Sequence, residues 1–447
     1  MTGREPAERD TVKNIIVAGA GPSGLIAAIF AARAGARVLV LEGMKKPGRK
    51  LLMTGNGRCN LTNLDPDLPE KYLSAAVTPD RTDPGQNAFW KQVLNRFGVS
   101  DTLSFFEEIG LYTTQRDDCV YPRSNQAGAV LSALLFACER WKVRLKYDAK
   151  VTSVRYDTET SQYFVGVSGW EYQADAVILC CGSRAVKETG SDGSGYQLAR
   201  SLNHTVTPVM PALTALHCAD PLVRNCAGAR TYACVSLYRE EERPCLLGTE
   251  TGEVQWTASE LSGIPVFGLT RFLPFSGVDT EDYEKLFRTR RFFIKVDLLP
   301  ERDLDQVTKI LREQFAVSEG RRSPGQVLSG LIHEKVAGYV VQKLQSEKRT
   351  LTGGAQEDAA ERIARELKNL CIPIDGLRGF DQAQVCRGGV LLDEVDPVTL
   401  GSKRSPGLFF AGEILDVDGP CGGYNLQWAW SSGAVAGISA AKDGRYM

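Results

Sequence analysis

The sequence has almost no excess of charge, few histidines and no long apolar run. Lysine and arginine total 53 against 54 aspartates and glutamates, a formal net charge of -1. Binding through nucleic-acid phosphates needs a basic excess, so we expect no nucleic-acid partner. No stretch of about 20 consecutive apolar residues occurs, so no membrane span is predicted. The only histidines are His204, His217 and His333. None lies in a motif described below, and we assign no catalytic histidine.

Cysteine is present, but the spacing of disulfide frameworks and zinc sites is missing. None of the 12 cysteines lies in a CxxC pair, and Cys180 and Cys181 are adjacent within the apolar run AVILCCG. This pattern is typical of reduced, buried thiols, and we predict no metal site. The first 13 residues are polar and charged, and glycines interrupt the apolar stretch that follows, unlike a signal sequence. We therefore expect a cytoplasmic location.

Residues 14–42 are typical of one strand–helix–strand unit whose first turn carries the motif GAGPSG. Its glycines allow a tight turn, close approach of the backbone to a pyrophosphate, and close packing of helix on strand. The phosphates would then lie at the positive end of the helix dipole. Glu42 ends the second strand, where a carboxylate accepts hydrogen bonds from ribose hydroxyls. The motif occurs once and near the N-terminus, which favours a flavin dinucleotide over a nicotinamide.

A segment rich in glycine and basic residues follows at Gly48 to Asn63, GRKLLMTGNGRCNLTN. It has neither helical nor strand periodicity, so we predict an irregular loop that wraps a ligand. Its glycines allow backbone N–H groups to point inward, and its basic side chains can meet a phosphate or another anion. A solvated basic loop is the alternative, but such a loop has no use for so many glycines.

A third motif lies near the end of the chain. PGLFFAGEILD predicts a turn, a buried strand and then Gly412-Glu413, where many flavin enzymes bind the ribityl hydroxyls. Gly422 and Gly423 precede YNLQWAWSSGAVAG, whose small and apolar residues predict a buried helix. The N-terminus of this helix would face the pyrimidine edge of the flavin and stabilise the negative charge of its reduced form. We interpret the two tryptophans of this helix as packing residues.

The chain is too long for one simple core, and its patterns predict an α/β protein with a long insertion. Residues 205–300 are rich in Val, Thr, Pro and Gly, and apolar stripes at helical spacing follow between 302 and 370. From about Gly388 the pattern of strands and turns returns. The predicted domains are the first part of an FAD-binding domain at 1–190, a β-rich substrate domain at 191–300, a small helical domain at 301–375, and the return to the FAD-binding domain at 376–447.

The three motifs together resemble the BaiN/aminoacetone-oxidase family of FAD-dependent oxidoreductases, whose superfamily has a glutathione-reductase-like FAD domain. Thr189 to Leu216 and Gly252 to Phe267 resemble further family segments, so the resemblance spans nearly the whole chain. It implies a Rossmann-like FAD domain with a β-rich insertion and a small helical domain. The residues that the motifs and this resemblance assign to FAD are Gly19, Gly21, Pro22, Ser23, Gly24, Glu42, Arg49, Lys50, Thr54, Gly55, Gly57, Arg58, Asn60, Val151, Gly182, Gly412, Glu413, Gly422, Gly423, Asn425 and Gln427.

The substrate side is less well defined by the sequence. Two pairs depart from the family pattern, Cys386-Arg387 where small residues are more common and Ser259-Glu260 where an aromatic or a His-Gly pairing is common. No catalytic group is assigned, and the candidates for substrate contact are Arg58, Tyr121, Arg123 and Tyr424. Tyr121-Pro122-Arg123 offers a phenol and a cation to an anionic substrate, with packing of a surface loop as the alternative.

Three functions stay open at this point. The first is an FAD-dependent reductase of a small molecule, with hydride transfer through flavin N5. Because no second GxGxxG is present, any NAD(P)H would bind transiently. The second is an FAD-dependent oxidase of small amines that uses oxygen. The third is a flavoprotein that acts on nucleic acid or in a complex, which the near-zero net charge disfavours. The sequence does not indicate an oligomeric state.

Overall fold

The computed structural model describes residues 12–75, 84–274, 278–346 and 359–442. The chain divides into two compact units. The first unit contains Met1–Val209 and Val385–Met447, and the second unit contains Met210–Gln384.

The bounds of the strands and helices follow in chain order. The strands are β1 Asn14–Ala18, β2 Arg37–Leu41, β3 Thr62–Asn63, β4 Thr113–Arg116, β5 Cys119–Pro122, β6 Arg144–Lys146, β7 Val151–Asp157, β8 Gln162–Val167, β9 Trp170–Ala174, β10 Ala176–Leu179, β11 Met210–Ala212, β12 Leu216–Cys218, β13 Arg230–Arg239, β14 Cys245–Trp256, β15 Glu260–Ser262, β16 Phe292–Asp297, β17 Leu370–Leu377, β18 Val385–Arg387 and β19 Leu408–Phe410. The α-helices are α1 Pro22–Arg33, α2 Arg49–Met53, α3 Pro84–Arg96, α4 Val99–Glu108, α5 Ala127–Arg140, α6 Ser194–Ser201, α7 Ile264–Thr270, α8 Lys285–Thr289, α9 Leu304–Ser318, α10 Pro324–Leu328, α11 Glu334–Ser346, α12 Ala359–Lys368 and α13 Tyr424–Ala441.

A parallel sheet forms the centre of the first unit. Its strand order is β19-β10-β1-β2-β6, and each neighbouring pair is parallel. β10 is wholly buried and β1 is buried except at Asn14. Parallel strands covered on both faces have continuous apolar runs, the pattern seen in the sequence. β1, α1 and β2 form the expected strand–helix–strand unit, and the predicted Rossmann-like α/β fold is confirmed.

Helices α1 and α13 come from opposite ends of the sequence and pack with their backbones in contact. A Cβ atom at Gly433 would lie 2.5 Å from the backbone oxygen of Ser23, and one at Gly437 would lie 2.2 Å from that of Ala27. Real Cβ atoms do not approach so closely, so glycine is required at both positions. The buried helix predicted near the end of the chain is therefore present, and its small residues serve this contact.

A three-stranded antiparallel sheet, β3-β5-β4, also belongs to the first unit. In β5, Cys119 and Tyr121 are half-buried, whereas the two residues that alternate with them are buried. The register pairs Arg116 with Cys119 and Thr114 with Tyr121. These four side chains therefore share one face of the β4–β5 hairpin, which we call the hairpin face.

The second unit is built around a closed antiparallel barrel with the order β12-β15-β14-β13-β16-β17. The chain leaves the barrel after β16, forms α9 to α12, and returns in β17, which pairs with both β16 and β12. The predicted helical stripe is found in α9, where Val307 and Leu311 are buried.

The unit boundaries differ from the predicted domains. The sequence suggested a β-rich domain at 191–300 and a separate helical domain at 301–375, whereas one unit, Met210–Gln384, contains the second range and most of the first. The reason is β17, which follows the helices in sequence but supplies a barrel strand, so the helices are an excursion from the barrel. Residues 191–209, which include α6, belong to the first unit.

Candidate active site

The turn between β1 and α1 brings backbone close to backbone. Gly19 has a φ of +105°, and a Cβ there would lie 2.5 Å from the backbone oxygen of Cys180. A Cβ at Gly24 would lie 2.0 Å from the backbone oxygen of Gly19, so both positions require glycine. Gly21, just before Pro22 opens α1, has an ordinary φ of -78°, and no described atom lies within 4 Å of its Cβ position. The space beside Gly21 is open, as a bound pyrophosphate requires.

Glu42, the predicted ribose ligand, holds this turn in place. Its Oε2 accepts a hydrogen bond from the N–H of Ala20 at 2.7 Å, and its Oε1 accepts one from the N–H of Met44 at 2.8 Å. Burial raises the pKa of Glu42, and these hydrogen bonds and the charge of Arg49 oppose that rise. Each carboxylate oxygen can accept a further hydrogen bond, so the ribose contact stays a prediction.

The segment from Gly48 to Asn63 contains more regular structure than the sequence suggested. Arg49–Met53 forms α2, and a 3₁₀ turn follows at Thr54–Gly57. The prediction of an irregular loop is wrong for α2, because its residues favour helix but five residues are too few to show periodicity. Gly55 and Gly57 have φ values of 56° and 83°, the left-handed backbone that glycine allows.

Lys50 and Glu413 form an ion pair that joins α2 to the segment after β19. Nζ of Lys50 lies 2.5 Å from Oε2 of Glu413, and Ser183 donates its hydroxyl hydrogen to the same oxygen at 2.9 Å. The two charged side chains are 21% and 19% exposed, so a ligand can reach them. Both contacts end on Oε2, which leaves Oε1 for a donor such as a ribityl hydroxyl. The sequence motifs did not identify Ser183 as a residue of this site, although it directly follows Gly182.

The side-chain oxygen of Asn60 tests whether a cofactor fits beside the segment from Gly48 to Asn63. Its Oδ1 is buried and has no hydrogen-bond partner among the described residues. An unsatisfied buried acceptor costs about 1–3 kcal/mol, so native proteins rarely leave one unpaired. The ring N–H and the ribityl hydroxyls of a flavin are donors of the kind that this oxygen requires. Asn60 and the open space at Gly21 therefore both fit bound FAD.

The backbone before α13 also depends on glycine. Gly422 and Gly423 have φ values of 114° and 100°, and α13 begins at Tyr424. A Cβ at Gly423 would lie 2.6 Å from backbone atoms of Thr62, so any side chain there would displace β3. Asn63 of that strand donates a hydrogen bond to the carbonyl of Gly422 at 2.8 Å. That this helix start faces the flavin stays a prediction.

Two amides that the sequence assigned to the cofactor are bonded to protein groups. Asn425 accepts a hydrogen bond from the backbone N–H of Gly419 at 2.9 Å and donates one to the backbone carbonyl of Gly419 at 2.8 Å. Gln427 is fully buried. It accepts a hydrogen bond from Thr62 at 2.6 Å and donates one to Thr102 at 2.9 Å. Because the side chain of Gln427 has no exposed surface, a contact between it and a cofactor stays a prediction.

The two tryptophans of α13 are packing residues, as predicted. Trp428 and Trp430 are 1% and 0% exposed. Their ring N–H groups donate to the carbonyl oxygens of Gly412 and Leu61, at 3.2 and 2.9 Å.

Four further predicted cofactor residues, Gly182, Val151, Gly412 and Thr54, have backbone or side-chain positions set by local contacts. Gly182 follows β10 with a φ of 71°, and Val151 opens β7 and is buried. Gly412 has a φ of 79°, and a Cβ there would lie 2.4 Å from Oγ of Ser23. Thr54 directly follows α2 and donates its hydroxyl hydrogen to the carbonyl of Leu51 within that helix.

Two of the four candidate substrate contacts lie together. A Cβ at Gly55 would lie 3.9 Å from the ring of Tyr121, and Arg58 donates a hydrogen bond to the carbonyl of Gly55 at 3.1 Å. Burial raises the pKa of Tyr121, and neighbouring Cys119 raises it further. The charges of Arg58 and Arg116 act in the opposite direction. The net shift is upward, so Tyr121 is a protonated phenol at neutral pH.

The other two candidates are placed differently. Tyr424 donates its phenolic hydrogen to Asp65 at 2.8 Å, so that hydrogen is held by a carboxylate. Arg123 is exposed, and its backbone N–H donates to the carbonyl of Tyr112. A residue that the sequence did not single out, Arg116, lies beside Tyr121, with its guanidinium carbon 5.5 Å from the ring centre. Only the register of β4 and β5 reveals this neighbour.

His204 is the centre of a separate polar cluster in the first unit. It is 3% exposed, its Nε2 lies 2.7 Å from Oγ of Ser402, and its Nδ1 lies 3.3 Å from Oε2 of Glu394. Burial lowers the pKa of His204, whereas the charge of Glu394 raises it and that of Arg404 lowers it; the net shift is downward.

Residues 13–439 match the family described as HI0933-like protein Rossmann domain. The chain belongs to the HI0933-like family. The 3-dehydro-bile acid delta(4,6)-reductase of Clostridium scindens is 37% identical over 433 residues, which cover 96% of this chain and 100% of that protein. The ribosomal RNA dihydrouridine synthase of Escherichia coli is 28% identical over 425 residues, which cover 93% and 95%. The protein of the same name from Haemophilus influenzae is 26% identical over 445 residues, which cover 96% and 99%.

This HI0933-like protein is an FAD-dependent oxidoreductase, and its resemblance to the BaiN family is confirmed. The expectation of no nucleic-acid partner stays a prediction, because two of the relatives carry the name of an enzyme of ribosomal RNA. No helix within the described ranges is long and apolar enough to cross a membrane.

Proposed function

We propose that the protein is a reductase that adds hydrogen across an activated carbon–carbon double bond of a small molecule. The observation that carries the proposal is the protonated phenol of Tyr121 beside the left-handed turn at Gly55. Further support comes from the 37% identity with a reductase over that protein's full length.

FAD bound to the first unit supplies the hydride from its reduced flavin. Reduction of a double bond conjugated to a carbonyl needs a hydride at one carbon and a proton at the next, and negative charge develops on the carbonyl oxygen. Tyr121 is suited to donate a hydrogen bond to that oxygen, or a proton to the second carbon, because its raised pKa keeps the hydrogen on the phenol. Arg58 adds a positive charge beside the same group.

The chain has separate groups for holding the cofactor. Oδ1 of Asn60 and Oε1 of Glu413 are acceptors for flavin or ribityl donors, and Lys50 and Ser183 keep the Glu413 carboxylate in position. We propose that NAD(P)H is the electron donor and binds transiently, since the sequence has a single GxGxxG.

Rapid mixing of the reduced enzyme tests the proposal. The flavin is reduced anaerobically and mixed either with oxygen or with a 3-oxo-4-ene bile acid, while flavin absorbance is followed. We expect slow reoxidation by oxygen and fast reoxidation by the enone. Fast reaction with oxygen and none with the enone would contradict the proposal and support the oxidase of small amines.

The names of two relatives favour a second candidate function, reduction of uridine within ribosomal RNA. The uracil double bond is also conjugated to a carbonyl, so the same groups would serve. Incubation of the reduced enzyme with unmodified ribosomal RNA, followed by mapping of dihydrouridine, tests this function. Formation of dihydrouridine without reduction of the enone would replace the first proposal.

A further inference from the structure

Two exposed guanidinium groups, those of Arg58 and Arg116, lie near Tyr121 of the hairpin face. The guanidinium of Arg116 lies 5.5 Å from the ring centre, and that of Arg58 is held near the ring by its hydrogen bond to Gly55. Both charges act on the phenol of Tyr121. The cations therefore share one neighbourhood, although they come from β4 and from the end of the 3₁₀ turn.

Neither cation is neutralised by a carboxylate within the described ranges, where no ion pair includes Arg58 or Arg116. The two aspartates that follow Arg116 in the turn, Asp117 and Asp118, form none with it. Some exposed arginines elsewhere have acidic partners, for example Arg230, which lies 3.0 Å from Glu253. The charge at the hairpin face is thus available to a ligand.

The backbone of Arg116 is held in place by the sheet to which it belongs. Asn63 of β3 pairs with Cys119 of β5, and its amide donates to the carbonyl of Gly422. This contact anchors the sheet to the turn that opens α13. Arg116 lies opposite Cys119 in the register, so its backbone has the same anchor.

We propose that Arg58 and Arg116 bind a negatively charged group of the substrate, so that the substrate is an activated alkene that also carries a carboxylate or a phosphate. This inference rests on the proposed reductase function. Guanidinium groups bind both kinds of anion through charge-assisted hydrogen bonds. An anion bound by the arginines would orient the substrate with its carbonyl toward Tyr121, because both arginines lie near that phenol.

The experiment compares charged and uncharged forms of one alkene. The free acid and the methyl ester of a 3-oxo-4-ene bile acid are the probes, and Arg116→Gln is compared with Arg144→Gln, an exposed arginine on β6. We expect the wild type to prefer the acid. Arg116→Gln should raise KM for the acid about fivefold and should leave KM for the ester unchanged. A fivefold change corresponds to roughly 1 kcal/mol, as expected for an exposed ion pair. Arg144→Gln should change neither.

Added sodium acetate and sodium phosphate, compared at constant ionic strength, then distinguish the two anions. The stronger competitive inhibitor against the acid identifies the chemistry that the arginines accept. Equal inhibition of wild type and Arg116→Gln by both salts would contradict a bound anion at this position.

Two further outcomes separate this inference from the proposed function. Equal kcat/KM for acid and ester in the wild type, or an equal loss for both in Arg116→Gln, would overturn the anion site and leave the reductase standing. If neither probe reoxidises the reduced flavin, the reductase proposal fails. Calorimetric titration with the bile acid that lacks the double bond then tests the anion site separately. The anion site requires that this acid binds the wild type and that Arg116→Gln weakens the binding about fivefold.

Discussion

The ammonium group of Lys50 lies 2.5 Å from the carboxylate of Glu413, across 363 positions of sequence. Ser183, from a third part of the chain, donates to the same oxygen. The three residues join the segments after β2, β10 and β19, which are strands of one parallel sheet. Ligands of such sheets bind where the segments after the strands meet, so the ion pair lies where the fold favours a cofactor.

Lys50→Met should weaken FAD binding about tenfold without unfolding the protein. The substitution removes the cation that orients Glu413, and a hydrogen bond to a charged group is worth about 1.5–3 kcal/mol. Fluorescence titration of the apoprotein with FAD measures the effect. The control is Lys46→Met, which removes an exposed lysine from the preceding turn. Equal FAD affinity in both variants would mean that the ion pair is purely structural.

Gly21→Val should lose FAD and keep the fold, whereas Gly24→Val should lose both. No described atom lies near the Cβ position of Gly21, so only a ligand would meet the new side chain. The Cβ position of Gly24 lies 2.0 Å from the backbone oxygen of Gly19. Flavin content and unfolding temperature of the two purified variants decide the matter. Full flavin content in Gly21→Val would show that the pyrophosphate lies elsewhere.

Tyr121→Phe should slow reoxidation of the reduced flavin by the enone about 10²-fold or more, the contribution typical of a positioned acid. Reduction by dithionite should not change, because it does not use the phenol. In the wild type, the donor is lost only when Tyr121 deprotonates. Its pKa is raised above the ordinary 10.0, so the rate should hold from neutral pH to above pH 10. Tyr112→Phe is the control, and a rate that falls near neutral pH would exclude Tyr121 as the donor.

His204 should make the protein less stable as the pH falls below about 6.5. Folding lowers its pKa from the ordinary 6.5, so the unfolded chain takes up the proton first. Stability linked to this group is therefore complete above pH 6.5 and declines between 6.5 and the lower pKa of the folded state. Unfolding temperatures of wild type and His204→Gln, measured from pH 7.5 to 5, test this. The variant should show a flatter decline, and parallel curves would contradict the assignment.

The central sheet and its first turn could be predicted because their signals are local. A buried parallel strand is a continuous apolar run, and GAGPSG is confined to one turn. The extent of the insertion could not be predicted, because β17 follows four helices and its place in the barrel depends on pairing with β12 and β16. The side-chain contacts within the site could not be predicted from the sequence either. Arg116 meets Tyr121 through a strand register, and Gln427 is held in the core by residues far away in sequence.

The contact between α1 and α13 has a consequence for synthesis on the ribosome. α1 leaves the exit tunnel well before its partner helix α13, which is made after every other described element. The barrel strands and their helices lie between α1 and α13 in sequence. The second unit can therefore fold while the first unit is still incomplete. During that interval the apolar face of α1 needs protection from aggregation. A nascent chain arrested before residue 424 should therefore bind holding chaperones and acquire no FAD.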